Sequence, residues 1–251
     1  MAIGTEKQVF TGARVDQAAY DAGLRAHMLR VYNYMASGLA LTGIFAVVIA
    51  QMSVITNDAG QIVGLTNLGQ TLFGSPLKWV VMLLPIGLVF FFSARLHALK
   101  QSTAQMVFWI FAALMGVSLA TVFMVFTGAS IARVFFITAG TFAGMSLWGY
   151  TTSKDLSGMG SFLFMGLIGI IIASIVNIFI GSSALHFAIS VIGVLVFVGL
   201  TAYDTQKIKN EYAEHYDSET KGKLAISGAL RLYLDFINLF VMLMHLFGAR
   251  R

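Results

Sequence analysis

The chain has 251 residues, of which 58% are hydrophobic and only 11% are charged, and its mean hydropathy is +0.82. Because a soluble domain typically has about 25% charged residues, this composition excludes an ordinary soluble fold and indicates a lipid-embedded protein. The chain contains no cysteine, which excludes disulfides and thiolate sites. Its net charge of +5 comes from basic residues that flank apolar runs, so it indicates membrane topology, with no nucleic-acid partner.

Seven apolar stretches follow one another along the chain, each close to the roughly 20 residues that a membrane-spanning helix needs. They lack the period-two alternation of barrel strands, so they predict helices. A long charge-free interval is divided into the fifth and sixth spans by Gly181, Ser182 and Ser183. The sequence therefore predicts an all-α, polytopic bundle over residues 31–251, preceded by a cytoplasmic tail over residues 1–30 without a cleavable signal peptide. The predicted spans are 32–52, 77–97, 105–127, 132–150, 161–180, 185–203 and 224–247.

Lysine and arginine counts favour a cytoplasmic N-terminus, because eleven of these residues then fall on the inner side and four on the outer side. Seven crossings would place Arg250 and Arg251 outside, whereas a re-entrant last segment would return them to the cytoplasm. The sequence leaves both arrangements open. On the fourth span, Gly140 and Gly144 form a small-xxx-small pair, which indicates either a close helix contact or merely the ordinary glycine content of membrane helices.

Two of the eleven carboxylates fall in apolar runs, Asp204 at the end of the sixth span and Asp235 within the seventh. Asp235 lies eleven residues beyond Leu224, or roughly 16 Å along a helix. A charge at this depth is costly, so such residues tend to face a bundle interior or a wet cavity. The other nine carboxylates lie in the tail and loops, where a solvated role is expected: Glu6, Asp16, Asp21, Asp58, Asp155, Glu211, Glu214, Asp217 and Glu219.

The sixth and seventh spans are consecutive and antiparallel, so the two aspartates can meet if the loop between them folds back and the last helix starts late, near Gly228. Two carboxylates in contact cannot both ionise cheaply and would share a proton. Once deprotonated, they would repel each other and offer the oxygen ligands that Ca²⁺ prefers. This physics predicts a proton-dependent cation gate, with Asp204 and Asp235 as its sensing and metal-binding pair.

Simpler roles exist for the charges nearby. Arg231 lies four residues before Asp235 and could neutralise it as an ordinary i, i+4 ion pair. Asp204 could be an interfacial residue beside Lys207. Arg95, at the end of the second span, could pair with Asp204 and latch the helices together, or act only as a basic anchor on the cytoplasmic side.

No enzyme is expected from this sequence. Its five histidines have no metal-ligand spacing on one helix, and there is no nucleophile–base arrangement and no phosphate-binding loop. The last span contains no lysine, which excludes a retinal Schiff base. Two membrane aspartates could activate water as in an intramembrane protease, but residues 232–235 read Leu-Tyr-Leu-Asp where such proteases have Gly-x-Gly-Asp.

Three separated motifs resemble the Bax inhibitor family of transmembrane proteins, in a bacterial form. They are residues 142–152 (Phe-Ala-Gly-Met-Ser-Leu-Trp-Gly-Tyr-Thr-Thr), 202–206 (Ala-Tyr-Asp-Thr-Gln) and 232–240 (Leu-Tyr-Leu-Asp-Phe-Ile-Asn-Leu-Phe). The resemblance implies a bacterial inner or plasma membrane location and six helices around a central last helix. It also implies a pH-sensitive Ca²⁺ leak governed by Asp204 and Asp235, and it matches Arg95 to the family's second-helix arginine.

The sequence leaves two functions open. One is a pH-sensitive leak channel for Ca²⁺ or other cations, with Ca²⁺ as the transported ion and no other cofactor. The alternative is a non-transporting membrane protein that modulates a membrane protease or a stress response, as some bacterial relatives are linked to the quality-control protease of the inner membrane. For that role the basic tail, with Arg14, Arg25 and Arg30, would contact the partner.

Overall fold

Seven long helices, each apolar enough to cross a membrane, make up most of the protein. The computed structural model describes residues 4–58 and 60–251, and the side chains of residues 17–58, 60–96 and 98–251. The prediction of an all-α bundle with seven spans is confirmed, and most of the helices extend beyond the apolar runs. They are α1 (Gly4–Ser53), α2 (Leu77–Arg95), α3 (Gln101–Val125), α4 (Gly128–Thr151), α5 (Ser157–Ile180), α6 (Ser183–Glu211) and α7 (Ser218–Phe247).

Local sequence signals set the ends of these helices. Gly181 adopts the left-handed conformation (φ 66°) that ends α5, and the Ser182 hydroxyl accepts the Leu185 N–H to cap α6. Asp217 caps α7 in the same way. Hydrogen bonds from Thr220, together with the N–H of Glu219, lower the pKa of the Asp217 carboxyl. The last helix therefore begins at Ser218, and the expected late start near Gly228 is wrong.

Helix α1 is continuous across the predicted boundary between tail and membrane domain at residue 30. Leu24, His27 and Met28 are buried. The Tyr212 ring, in the loop after α6, lies 5.5 Å from the ring of Tyr20 and 5.4 Å from that of His27, between centroids. Residues 17–30 are thus a packed helical extension of the bundle. Residues 1–3 and the side chains of residues 4–16, Arg14 among them, lie outside the described residues.

The two ends of the bundle carry different features. The N-terminal end carries this extension of α1 and the loops after α2, α4 and α6. The C-terminal end carries an antiparallel hairpin of β1 (Val54–Thr56) and β2 (Ile62–Leu65), followed by the short helical segments Asn67–Gly69 and Gln70–Gly74. The chain ends there too, because Thr127 N–H donates to Ala249 O (3.0 Å) and Arg251 N–H to Val125 O (3.0 Å). Helix α7 thus crosses completely, and the alternative of a re-entrant last segment is wrong.

The last helix occupies the centre of the bundle, as the resemblance implies. Its main partners are four helices, α1, α3, α4 and α6, while α2 packs on α3 and α5 packs on α6. Six helices therefore surround α7 in the bundle as a whole, but only four of them are its main contacts. Leu232, Tyr233 and Leu239 are completely buried. The Thr42 hydroxyl donates to Ala112 O (2.8 Å), so the Tyr233 hydroxyl is the donor in its 2.6 Å bond to Thr42.

A glycine on α4 allows a close helix contact, but it is not one of the predicted pair. Gly140 and Gly144 have open space where a Cβ would stand, because the opposite face of α4 points into the bundle. Gly149 lies on that inward face, and a Cβ there would overlap the backbone of Ala202 on α6. Of the two interpretations left open for Gly140 and Gly144, the close helix contact is therefore not seen, and α4 makes its close contact at Gly149.

Gly149→Ala should destabilise the protein by about 1–3 kcal/mol, the usual cost of overpacking, because α4 must move away from the α6 backbone. Gly144→Ala is the matched control. It adds the same methyl group to the same helix in open space, so its thermal unfolding temperature in detergent should equal or exceed that of the parent. Equal unfolding temperatures for the two variants would contradict the assigned contact.

Candidate functional site

A cavity of about 480 Å³ lies between α5, α6 and α7. Its walls on α5 are apolar or small, with Gly160, Phe164 and Leu167 among them. The charged groups come from the other two helices, which contribute Asp204, Lys207, Arg231 and Asp235 together with the amide of Asn238. Both aspartates that the sequence singles out therefore line this one cavity.

The carboxyl groups of Asp204 and Asp235 are hydrogen-bonded to each other. An ionised carboxylate can only accept, so this bond requires a proton on one of the two groups. Asp235 is only 4% exposed. Its Oδ2 atom is fully buried and receives no hydrogen bond from any donor group in the described part of the chain. The geometry therefore fits one proton shared between two carboxyls where water is scarce.

Close packing of α6 on α7 sets the register that brings the aspartates together. A Cβ at Gly228 would lie 3.1 Å from a methyl carbon of Ile208, so the two helices approach closely at that level. Asp204 lies one turn from Ile208, facing Asp235. The ten residues of α7 that precede Gly228 continue beyond the level at which Gly228 meets Ile208. The start of α7 at Ser218 therefore does not prevent Asp204 and Asp235 from meeting.

The extension of α6 beyond its apolar run is fixed by polar anchors at the N-terminal end of the bundle. Gln206 donates from Nε2 to Lys154 O (2.8 Å) and accepts the Leu156 N–H (2.9 Å). Lys209 donates to Tyr150 O at 2.9 Å. These bonds tie α6 to the loop between α4 and α5, and thereby fix the position of Asp204.

Arg231 forms its ion pair with Glu211, not with Asp235. The Arg231 Nη1 atom lies 2.8 Å from Glu211 Oε1, and the two side chains are 31% and 28% exposed. The guanidinium charge still acts on both aspartates. The simpler interpretation, an i, i+4 pair that neutralises Asp235 directly, is therefore not the arrangement seen. The sequence predicts a solvated loop position for Glu211, whereas the structure places it at the end of α6 as the ion-pair partner of Arg231.

The second predicted charge partner lies elsewhere. Arg95 is exposed at the end of α2. The charged groups that act on Asp204 are Arg231, Lys207 and Glu211. An ion pair between Arg95 and Asp204 is not formed within the described residues, so the latch role of Arg95 stays a prediction.

Histidine pairing occurs across helices rather than along one. The rings of His186 on α6 and His245 on α7 lie 4.7 Å apart between centroids, near the C-terminal end of the bundle. Over the residues that the structure describes, no group of three or more histidine, aspartate or glutamate side chains could hold a metal ion. The His97 side chain is outside that set.

Comparisons with known proteins agree on one family. Residues 24–251 match the family described as "Inhibitor of apoptosis-promoting Bax1". The uncharacterized protein RP147 of Rickettsia prowazekii (strain Madrid E) is 47% identical over 232 residues, 92% of this chain and 93% of that protein. The inner membrane protein YbhL of Escherichia coli (strain K12) is 45% identical over 233 residues, 92% and 94% of the two chains.

A more distant relative shares the same span of sequence. The uncharacterized membrane protein SpyM3_0260 of Streptococcus pyogenes serotype M3 is 33% identical over 229 residues, 91% of this chain and 94% of that one. The family match, the identity to these relatives and the seven apolar helices confirm the resemblance drawn from the three motifs. The chain is a membrane protein that belongs to the Bax inhibitor family.

Proposed function

We propose that the protein is a pH-sensitive leak pathway for Ca²⁺ or other cations in a bacterial inner membrane. The observation that supports this proposal is the hydrogen-bonded contact between Asp204 and Asp235, in the cavity between α5, α6 and α7. No catalytic step is part of the proposal.

The shared proton holds α6 to α7 in this proposal. With the proton present, one carboxyl donates to the other and the helices stay together. With the proton gone, two negative charges about 4 Å apart repel each other by roughly 4 kcal/mol at an effective dielectric constant of 20. An energy of this size changes the equilibrium constant for opening by about a thousandfold. Loss of the proton therefore favours separation of the two helices.

The deprotonated pair is also the proposed cation site. Ca²⁺ takes 6–8 oxygen ligands, and the cavity offers the carboxylates of Asp204 and Asp235 with the side-chain amide of Asn238. Water would have to supply the remaining ligands. Such a site is suited to passing an ion on rather than storing it, so Ca²⁺ is the cargo of the proposed pathway.

We place the N-terminal end of the bundle in the cytoplasm. Basic residues are concentrated there, as the positive-inside rule requires. Asp204 lies seven residues before Glu211, the last residue of α6, or roughly 10 Å along the helix. On this orientation the aspartate pair is nearer the cytoplasmic side, and the pH of the cytoplasm is the one that controls it.

Ca²⁺ entry into liposomes that contain the protein should rise with pH, by up to about tenfold per pH unit for a pair that releases one proton. Asp235→Asn and Asp204→Asn remove one of the two competing charges, so the flux of each variant should vary little with pH. A Ca²⁺-sensitive dye inside the liposomes measures the flux.

Asp155→Asn is the matched control for these variants. Hydrogen bonds from Ser157 lower the pKa of the Asp155 carboxyl, which lies in an exposed loop, so this carboxylate stays ionised across the tested range. Its loss should leave the pH profile unchanged. The leak proposal fails if Asp204→Asn and Asp235→Asn both pass Ca²⁺ as the parent does at every pH.

The exposed basic surface of α1 supports the alternative function as a modulator of a membrane protease. Arg25 and Arg30 are exposed on the helical extension at the N-terminal end, where a cytoplasmic partner could contact them. Leu24 and Met28 are buried beside them, so charge substitutions test this surface more cleanly than a deletion of residues 1–25.

The double variant Arg25→Gln/Arg30→Gln should keep the Ca²⁺ flux of the parent, because neither residue lines the aspartate cavity. If the chain acts by binding a protease, the same variant should lose its effect on the degradation rate of a membrane substrate in cells. Degradation that is the same with parent, variant and no protein at all would remove the alternative.

A further inference from the structure

One stripe of helix α7, between Thr220 and Asn238, lines cavities in the bundle. Its polar and charged members recur every three or four residues, which places them on one face of the helix. The stripe begins in the first turn of α7 and runs into the aspartate cavity. These residues are Thr220, Lys223, Ser227, Arg231, Asp235 and Asn238.

Two cavities open onto this stripe in succession. The first, which we call the vestibule, has about 520 Å³ and lies at the N-terminal end, lined by Glu211, Tyr212, Thr220 and Ser227 among others. The second is the aspartate cavity. Arg231 lines both. A cation that moved along the stripe from the vestibule would therefore meet Arg231 before it reached the aspartates.

Arg231 is suited to stop a cation at this position. A guanidinium group remains protonated at any relevant pH, and its charge acts on both aspartates. The ion pair with Glu211, at 2.8 Å, holds the group at the junction of the cavities. Without Glu211, the nearest carboxylates for the guanidinium to pair with would be Asp204 and Asp235 themselves.

We propose that Arg231, held in place by Glu211, is the barrier that separates the vestibule from the aspartate pair. The inference deepens the proposed function, on which it rests, by naming the residue that limits cation entry. Glu211 is a positioning residue, because it keeps the arginine from occupying the oxygens that would bind the cation.

Substitutions of the two partners should change Ca²⁺ flux in opposite directions. At the high-pH plateau, Arg231→Gln should raise Ca²⁺ flux by about tenfold or more, because it removes a unit positive charge that repels a divalent cation at the entrance to the aspartate cavity. Glu211→Gln should lower flux, because the released guanidinium would pair with the aspartates. An ion pair that only stabilises the fold would give changes of the same sign in both variants.

Two further variants control for charge alone. Arg231→Lys keeps a positive charge at the junction, so its flux should stay near that of the parent. Lys207→Gln removes a positive charge that lines the aspartate cavity but not the vestibule, and its flux should change less than that of Arg231→Gln. Equal increases in Lys207→Gln and Arg231→Gln would overturn the assignment of the barrier to Arg231.

Thiol accessibility tests the barrier without any Ca²⁺ measurement. The chain contains no cysteine, so each introduced thiol reacts alone. Thr220→Cys places a thiol in the vestibule about three turns before Arg231, and Asn238→Cys places one in the aspartate cavity. A membrane-impermeant cationic thiosulfonate, added from the N-terminal end, should modify the first thiol at the same rate in the Arg231 and Arg231→Gln backgrounds. It should modify the second about tenfold faster once Arg231 is replaced.

The two readouts separate failure of the barrier from failure of the proposed function. Equal modification of Asn238→Cys with and without Arg231 overturns the barrier, whatever the flux. Faster modification after Arg231→Gln, in a protein that passes no Ca²⁺ under any condition, supports the barrier and refutes the leak.

Discussion

The hydrogen bond between Asp204 and Asp235 constrains the arrangement of the groups around it. It needs one proton for two buried carboxyls, and burial of Asp235 in the central helix removes the water that would otherwise stabilise a second charge. Arg231 is close enough to act on both groups, yet its direct ion pair is with Glu211. Because the arginine does not pair with either aspartate, the carboxyls keep only each other as hydrogen-bonding partners among the described residues, and their contact depends on the proton.

The two helices that carry the aspartates are fixed by different neighbours. Helix α7 is held at its centre by the Tyr233–Thr42 bond to α1. Helix α6 is held by Gln206 and Lys209, which bond to the α4–α5 region. Each helix thus has its own anchors, and the aspartate contact joins two separately supported elements. A change in the proton can then alter the α6–α7 contact without breaking the bonds that hold either helix in the bundle.

Sequence alone was sufficient for the seven spans and for the choice of Asp204 and Asp235, because a carboxylate in an apolar run is costly and easily noticed. It was not sufficient for the helix register. The apolar run of the sixth span ends near Tyr203, whereas α6 continues to Glu211. Ile208 and Tyr212, apolar residues four apart, were the available signal for that extension. Without that signal, the sequence predicts a loop at Glu211. Likewise, choosing Gly149 over Gly140 and Gly144 requires knowing which face of α4 turns inward.

Proton sensitivity and cation attraction have a common origin in the proposed function. A proton and a Ca²⁺ ion would bind the same oxygens of Asp204 and Asp235, so each excludes the other. Arg231 and Glu211 together add no net charge beside the pair. Loss of the proton therefore changes the charge of the pair from −1 to −2, more than the single positive charge of Lys207 can balance, in a cavity where charges interact more strongly than in water. One chemical event thus weakens the contact between α6 and α7 and creates the negative potential that draws a cation to it.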